Sequence, residues 1–148
     1  MNGRAGSEPK LLFPGLAGFY AAVSDLWYPL IRLVVGGCLI YHGWAKLQSG
    51  VAPVSASMAK NGFVPGTFFA YAAIFLETVG AVCIMLGLFT RFFAAAIAIE
   101  MALITFVVHM PNGFGRMELP FMWGIIMFAI ALRGGGPYSL DRAIGKEL

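Results

Sequence analysis

Long apolar runs alternate along the chain with short stretches rich in glycine, proline and polar residues. Four of these runs are long enough to cross a bilayer as helices. They predict spans from about Leu26 to Leu47, Thr67 to Leu88, Phe92 to Met110 and Glu118 to Leu132. Ser24 or Asp25 can cap the first span, and Trp27, Tyr28 and Pro29 suit an interfacial first turn. The first connection, punctuated by Gly50, Pro53, Gly62, Pro65 and Gly66, leaves room for a short helix around Val54 to Lys60. Gly87 to Arg91 reads as a tight turn, and Pro111 with Asn112-Gly113 marks the next. At the start, residues 1 to 10 are polar and glycine-rich and read as disordered. Pro14 and Gly15 break the apolar run that a signal peptide would need, which favours a short interfacial helix after Gly15. The domain reading is therefore an N-terminal segment over residues 1–25, a four-span membrane domain over 26–133 and a tail over 134–148.

The polar residues inside the spans are few and patterned. At 100° per residue, Arg32, Gly36, Leu39, Gly43 and Lys46 fall on one stripe of the first span, with His42 at its edge. Facing lipid, such a stripe would cost roughly 2.5 to 3.5 kcal/mol per central charge, so it is expected to look inward, where its glycines admit a neighbour. In the second span Glu77 shares a face with Ala70, Ala73, Gly80 and Ala81. In the third, Glu100 lies near Phe93, Ala96 and Val107. At 1.5 Å per residue, measured from the helix ends on the side of the termini, Glu77 and Glu100 come to about 15 to 17 Å and His42 to about 21 Å, all three near the midplane. Arg32, at roughly 6 Å, is expected to reach toward the carboxylates or to snorkel to the interface, and Lys46 to snorkel at the far end.

Composition fits an integral membrane protein: of 148 residues, 59% are hydrophobic and 11% charged, with a mean hydropathy of +0.81. A net charge of +3, with no basic run among exposed aromatics, argues against nucleic acid. Cys38 and Cys83 lie inside apolar segments, as packing residues rather than a disulfide or metal framework. No metal site is expected. With four spans both termini share one side, together with Arg4, Lys10, Arg91, Arg133, Arg142 and Lys146, against Lys46, Lys60 and Arg116 on the other. That asymmetry predicts both termini in the cytoplasm and a plasma (inner) membrane protein. The fold expected is all-α, an antiparallel four-helix bundle.

Arg32, the His42-Gly43-x-x-Lys46 end of the first span, Glu77-x-x-Gly80 in the second and Gly87-Leu88-x-Thr90-Arg91 in the turn resemble the DoxX family of four-span membrane proteins. The resemblance runs from about Leu30 to Leu132. It implies this fold, a membrane location and association with membrane redox systems, whose members include a quinone-reducing thiosulfate oxidoreductase subunit. Three function classes follow. In the first, a redox subunit admits a quinone: His42, Glu77 and Glu100 are the candidate catalytic residues, and Arg32, His42, Gly43 and Lys46 the candidate binding residues. No CxxC, haem-ligand pair or flavin fingerprint is present, so no covalently bound cofactor is expected and electrons must come from a soluble or membrane redox partner. In the second, a small proton-coupled transporter uses the same acids, which for four spans calls for a homo-oligomer. In the third, a non-catalytic assembly subunit uses its polar groups to fix helix register.

Overall fold

The computed structural model describes residues 11–147; the segment read as disordered, residues 1 to 10, lies outside them. The described residues are all-helical. After a 3-10 turn at Pro14–Leu16 comes a short helix, α1 (Ala17–Val23), with no buried residue. Four helices long and apolar enough to cross a membrane follow: α2 (Trp27–Ser49), α4 (Gly66–Leu86), α5 (Thr90–Asn112) and α6 (Phe114–Arg133). Between α2 and α4 lies α3 (Val51–Lys60), packed on α4, and after α6 comes α7 (Leu140–Ile144). The helix pairs α2 with α4 and α5 with α6 pack along their lengths.

The interior is made by the stripes that helical periodicity marks. On α2 the buried residues are Tyr28, Arg32, Val35, Gly36, Leu39 and Gly43. On α4 they include Ala70, Ala73, Glu77, Gly80, Ala81 and Ile84. Ile97 of α5 and Met127 and Ile130 of α6 complete the same core, while Val34, Phe92, Ile99, Ile125 and Phe128 stay exposed, as lipid-facing positions should. Small residues set the α2–α4 spacing. A Cβ at Gly43 would stand 2.6 Å from the Glu77 carbonyl oxygen and 2.8 Å from Thr78 Cγ2, so only glycine permits this approach.

Both α4 and α5 contain a π-helical turn, at Leu76–Gly80 and Ile104–His109. Within each, a threonine bonds back one turn: Thr78 Oγ1 donates to Ile74 O and Thr105 Oγ1 to Met101 O, both at 2.6 Å. Such side chains satisfy a carbonyl that the widened ladder releases. α6 begins at Phe114, a turn earlier than Glu118, because Gly113 at φ +92° turns the chain directly into the helix. α4 stops at Leu86, where Gly87 at φ +66° is a left-handed cap.

The segment after Arg133 is not a free end but a clasp under the bundle. Asp141, 1% exposed, accepts from Phe89 N at 2.7 Å, Thr90 N at 2.9 Å and Thr90 Oγ1 at 2.6 Å, so it caps the start of α5. Arg91 donates to Leu132 O at 2.7 Å and Ala131 O at 3.1 Å at the end of α6, and its Nε pairs with Glu147 at 2.8 Å.

Candidate functional site

The side chains with chemistry gather in the half of the bundle away from the clasp. Glu77 lies in the π-helical turn of α4 and is 2% exposed, and its Oε1 forms an ion pair with Lys46 Nζ. Its Oε2 is buried with no protein partner. The Lys46 side chain is 26% exposed, so the pair bridges the interior and a cavity rather than being sealed from both.

Two expectations are corrected here. Lys46 does not snorkel away: it turns back to Glu77. Arg32 neither reaches the carboxylates nor snorkels; it is fully buried and donates from Nη2 to Tyr138 O at 2.9 Å and Pro137 O at 3.3 Å. Gly87 lets it in, since a Cβ there would collide with the guanidinium. The cation expected beside the acid is therefore part of the clasp, and the lysine expected at the interface is the acid's partner.

The cavity beside this pair has a volume of about 400 Å³. His42, Lys46 and Glu77 line it from α2 and α4, Ser57, Met58 and Asn61 from α3 and the turn after it, and His109 and Arg116 from the α5–α6 end. Met101, Ile104, Val108, Leu119, Pro120 and Trp123 supply an apolar wall. His42 is exposed at the rim and meets the Trp123 ring edge-on, with centroids 5.1 Å apart at 82°. Pro120 has no N–H, which leaves the Arg116 carbonyl without its helical donor at the same wall. Hydrogen-bond donors thus converge on a space with one flat aromatic wall and one free carboxylate oxygen. Gly43 contributes the backbone approach that brings Glu77 to Lys46, not a surface of the cavity.

Glu100 is elsewhere. The buried face of α5 carries Phe93, Ala94, Ile97, Met101 and Thr105, while Val107, expected beside Glu100 on that face, is exposed. Glu100 is only partly buried and its carboxyl lines a separate, smaller cleft. Sequence reasoning also passed over His109, Arg116, Asn61 and Trp123. For His109, Arg116 and Asn61 the signal was positional, since His109 and Arg116 stand within a turn of a span end and Asn61 in the connection on the same side as Lys46, whereas Trp123 lies more than two turns inside its helix and carried no such signal. The short helix that carries Asp141 had a signal, since Ser139 followed by an acid two residues on suits a helix start, and Ser139 Oγ does accept from Arg142 N at 3.2 Å.

Comparison with known proteins gives a family match and two relatives. The DoxX family profile matches residues 27–110. Inner membrane protein YqjF of Escherichia coli K12 is 30% identical over 129 residues, covering 84% of this chain and 97% of its own. A Haemophilus influenzae protein described as uncharacterized is 30% identical over 125 residues, covering 79% of this chain and 90% of its own. No solved structure matches.

Proposed function

The chain belongs to the DoxX family, and from that premise we propose that it is an inner-membrane accessory subunit of a redox system whose cavity receives the head group of a quinone. The likeness to inner membrane protein YqjF supports the location. The loop charges support an orientation with both termini in the cytoplasm, under which the cavity would lie in the outer half of the bilayer.

The observation that carries the reading is the make-up of the cavity. A quinone ring is flat and apolar with carbonyl acceptors at its edge. The cavity offers Trp123 and aliphatic side chains for the ring, and His42, Lys46, Asn61, His109 and Arg116 as donors for the carbonyls. Its volume of about 400 Å³ lies within the range of small-molecule sites. When bound, a quinone supplies a two-electron, two-proton acceptor, with the electrons coming from a partner subunit. Lys46 holds Glu77 so that Oε2 faces unpaired, a group able to pass a proton to an acceptor in the cavity. His42, exposed at the rim and packed edge-on against Trp123, would donate to a quinone carbonyl where water and ligand enter.

The test is quinone-dependent turnover of the intact complex, alongside binding of a short-chain quinone read by tryptophan fluorescence. His42→Ala and Glu77→Gln are each expected to lower turnover tenfold or more with assembly unchanged, and His42→Ala to weaken binding. Turnover surviving both changes in an assembled complex would replace this reading with that of an assembly subunit, in which the Lys46–Glu77 pair serves only to fix the register of α2 on α4.

A further inference from the structure

The carboxyl of Glu100 occupies a cleft of about 50 Å³ whose other walls are Met58, Phe63, Phe69, Ala73, Leu76, Leu103 and Ile104. Both of its oxygens are enclosed and neither has a hydrogen-bond partner. None of the surrounding side chains can donate a proton or carry a charge. An ionised carboxylate stripped of water and donors is costly to keep, and a carboxylic acid that retains its proton is far less so. The charged groups that face it are Glu77 of α4, which would repel a second negative charge, and Lys46 of α2, which is already committed to Glu77.

The cleft is also next to the main cavity. Met58 and Ile104 line both spaces, so two side chains form the partition between Glu100 and the cavity that holds Glu77. Met58 is unbranched and adaptable, and Ile104 opens the π-helical turn of α5, where the regular ladder is already broken.

We propose that Glu100 is a second, proton-holding site: a neutral carboxylic acid in a cleft between α4 and α5 that exchanges its proton with Glu77 past the Met58–Ile104 partition. Its use in delivering that proton to a quinone rests on the function proposed above, whereas the proton-holding state does not. Glu100 is partly exposed although its carboxyl oxygens are enclosed, and the cleft's walls are all apolar, so a small apolar reagent dissolved in the membrane is expected to reach it.

Dicyclohexylcarbodiimide is such a reagent. The carboxyl proton moves to a carbodiimide nitrogen, the carboxyl oxygen bonds to the central carbon, and the adduct rearranges to a stable N-acylurea with no change of oxidation state. With the full-length protein in neutral detergent micelles at neutral pH, peptide mass analysis is expected to find the adduct on Glu100, and Glu100→Gln to lower total labelling at least tenfold. Infrared spectra are expected to show a protonated-carboxyl band that disappears in Glu100→Gln. Absence of the adduct and of the band in the wild-type protein would overturn the site. For the exchange path, Ile104→Ala is expected to speed the deuterium shift of that band at least tenfold, and an unchanged rate would overturn the path. No quinone enters these measurements, so their failure is separable from failure of quinone binding.

Discussion

Two cations on one stripe of α2 change roles between sequence and structure, and the reason is the direction of a helical side chain. Each Cα–Cβ bond leans toward the helix N-terminus. Lys46, near the end of α2, therefore extends back toward the middle of the bundle, where Glu77 waits, while Arg32, near the start, extends away from the acids and into the 134–138 segment. Counting depth at Cα alone hides a difference of several ångströms in where the charges lie. Breaking the pair tests its structural share: Glu77→Ala leaves Lys46 without its partner and is expected to cost about 3 kcal/mol, the lower end of the range for buried pairs, because water can still reach the partly exposed lysine. Replacing both, with Lys46→Met and Glu77→Leu together, is expected to recover most of that loss in detergent unfolding, since no charge is then stranded. The face that carries each of Arg32, His42, Gly43, Lys46 and Glu77 was legible from periodicity. Which of them touch was not, because a helical wheel contains no side-chain length.

The same division holds for the elements. Spans were readable because about twenty apolar residues leave no other way to satisfy a backbone in lipid, and the inward faces of α2 and α4 followed from small residues at helical spacing. Gly43 makes that packing testable: its Cβ would meet backbone atoms of Glu77 at 2.6 and 2.7 Å, which cannot rotate away. Gly43→Ala is expected to lower stability by about 1–3 kcal/mol through forced separation of α2 and α4, and to weaken the Lys46–Glu77 pair with it. The clasp was not readable as a contact, since nothing periodic links Asp141 to a turn some fifty residues earlier. Yet it holds Phe89 in a left-handed conformation, φ 47°, which a non-glycine residue adopts only when its neighbours enforce it. Asp141→Ala is expected to cost about 2–4 kcal/mol by stranding the Phe89 and Thr90 N–H groups and the Thr90 hydroxyl, and Thr90→Val about 1 kcal/mol, both read as shifts in thermal unfolding.

At the scale of the whole molecule the two ends of the bundle differ in kind. One end is closed by the clasp, where Arg133 stacks on the rings of Trp27 and Tyr28 at 4.8 and 4.5 Å and Arg91 binds the last carbonyls of α6. The other end is open to the cavity and carries Lys46, Lys60 and Arg116. Arg142 and Lys146 add to the closed end, so the larger share of basic residues lies with the termini, and the positive-inside rule predicts that this end faces the cytoplasm. Under that predicted orientation, the proposed ligand would enter from the outer half of the membrane, and a partner on the outer face would meet the α2–α3 and α5–α6 connections rather than the termini. Cysteine labelling decides it. Ser139 is a poor reporter because it is 8% exposed within the clasp, whereas Ala143 and Asn112 are exposed at opposite ends. In a background of Cys38→Ala and Cys83→Ala, a membrane-impermeant maleimide added to intact cells is expected to label Asn112→Cys and to leave Ala143→Cys unlabelled until the membrane is opened. The reverse pattern would place the cavity on the cytoplasmic side, where its protons and any redox partner would have to be sought instead.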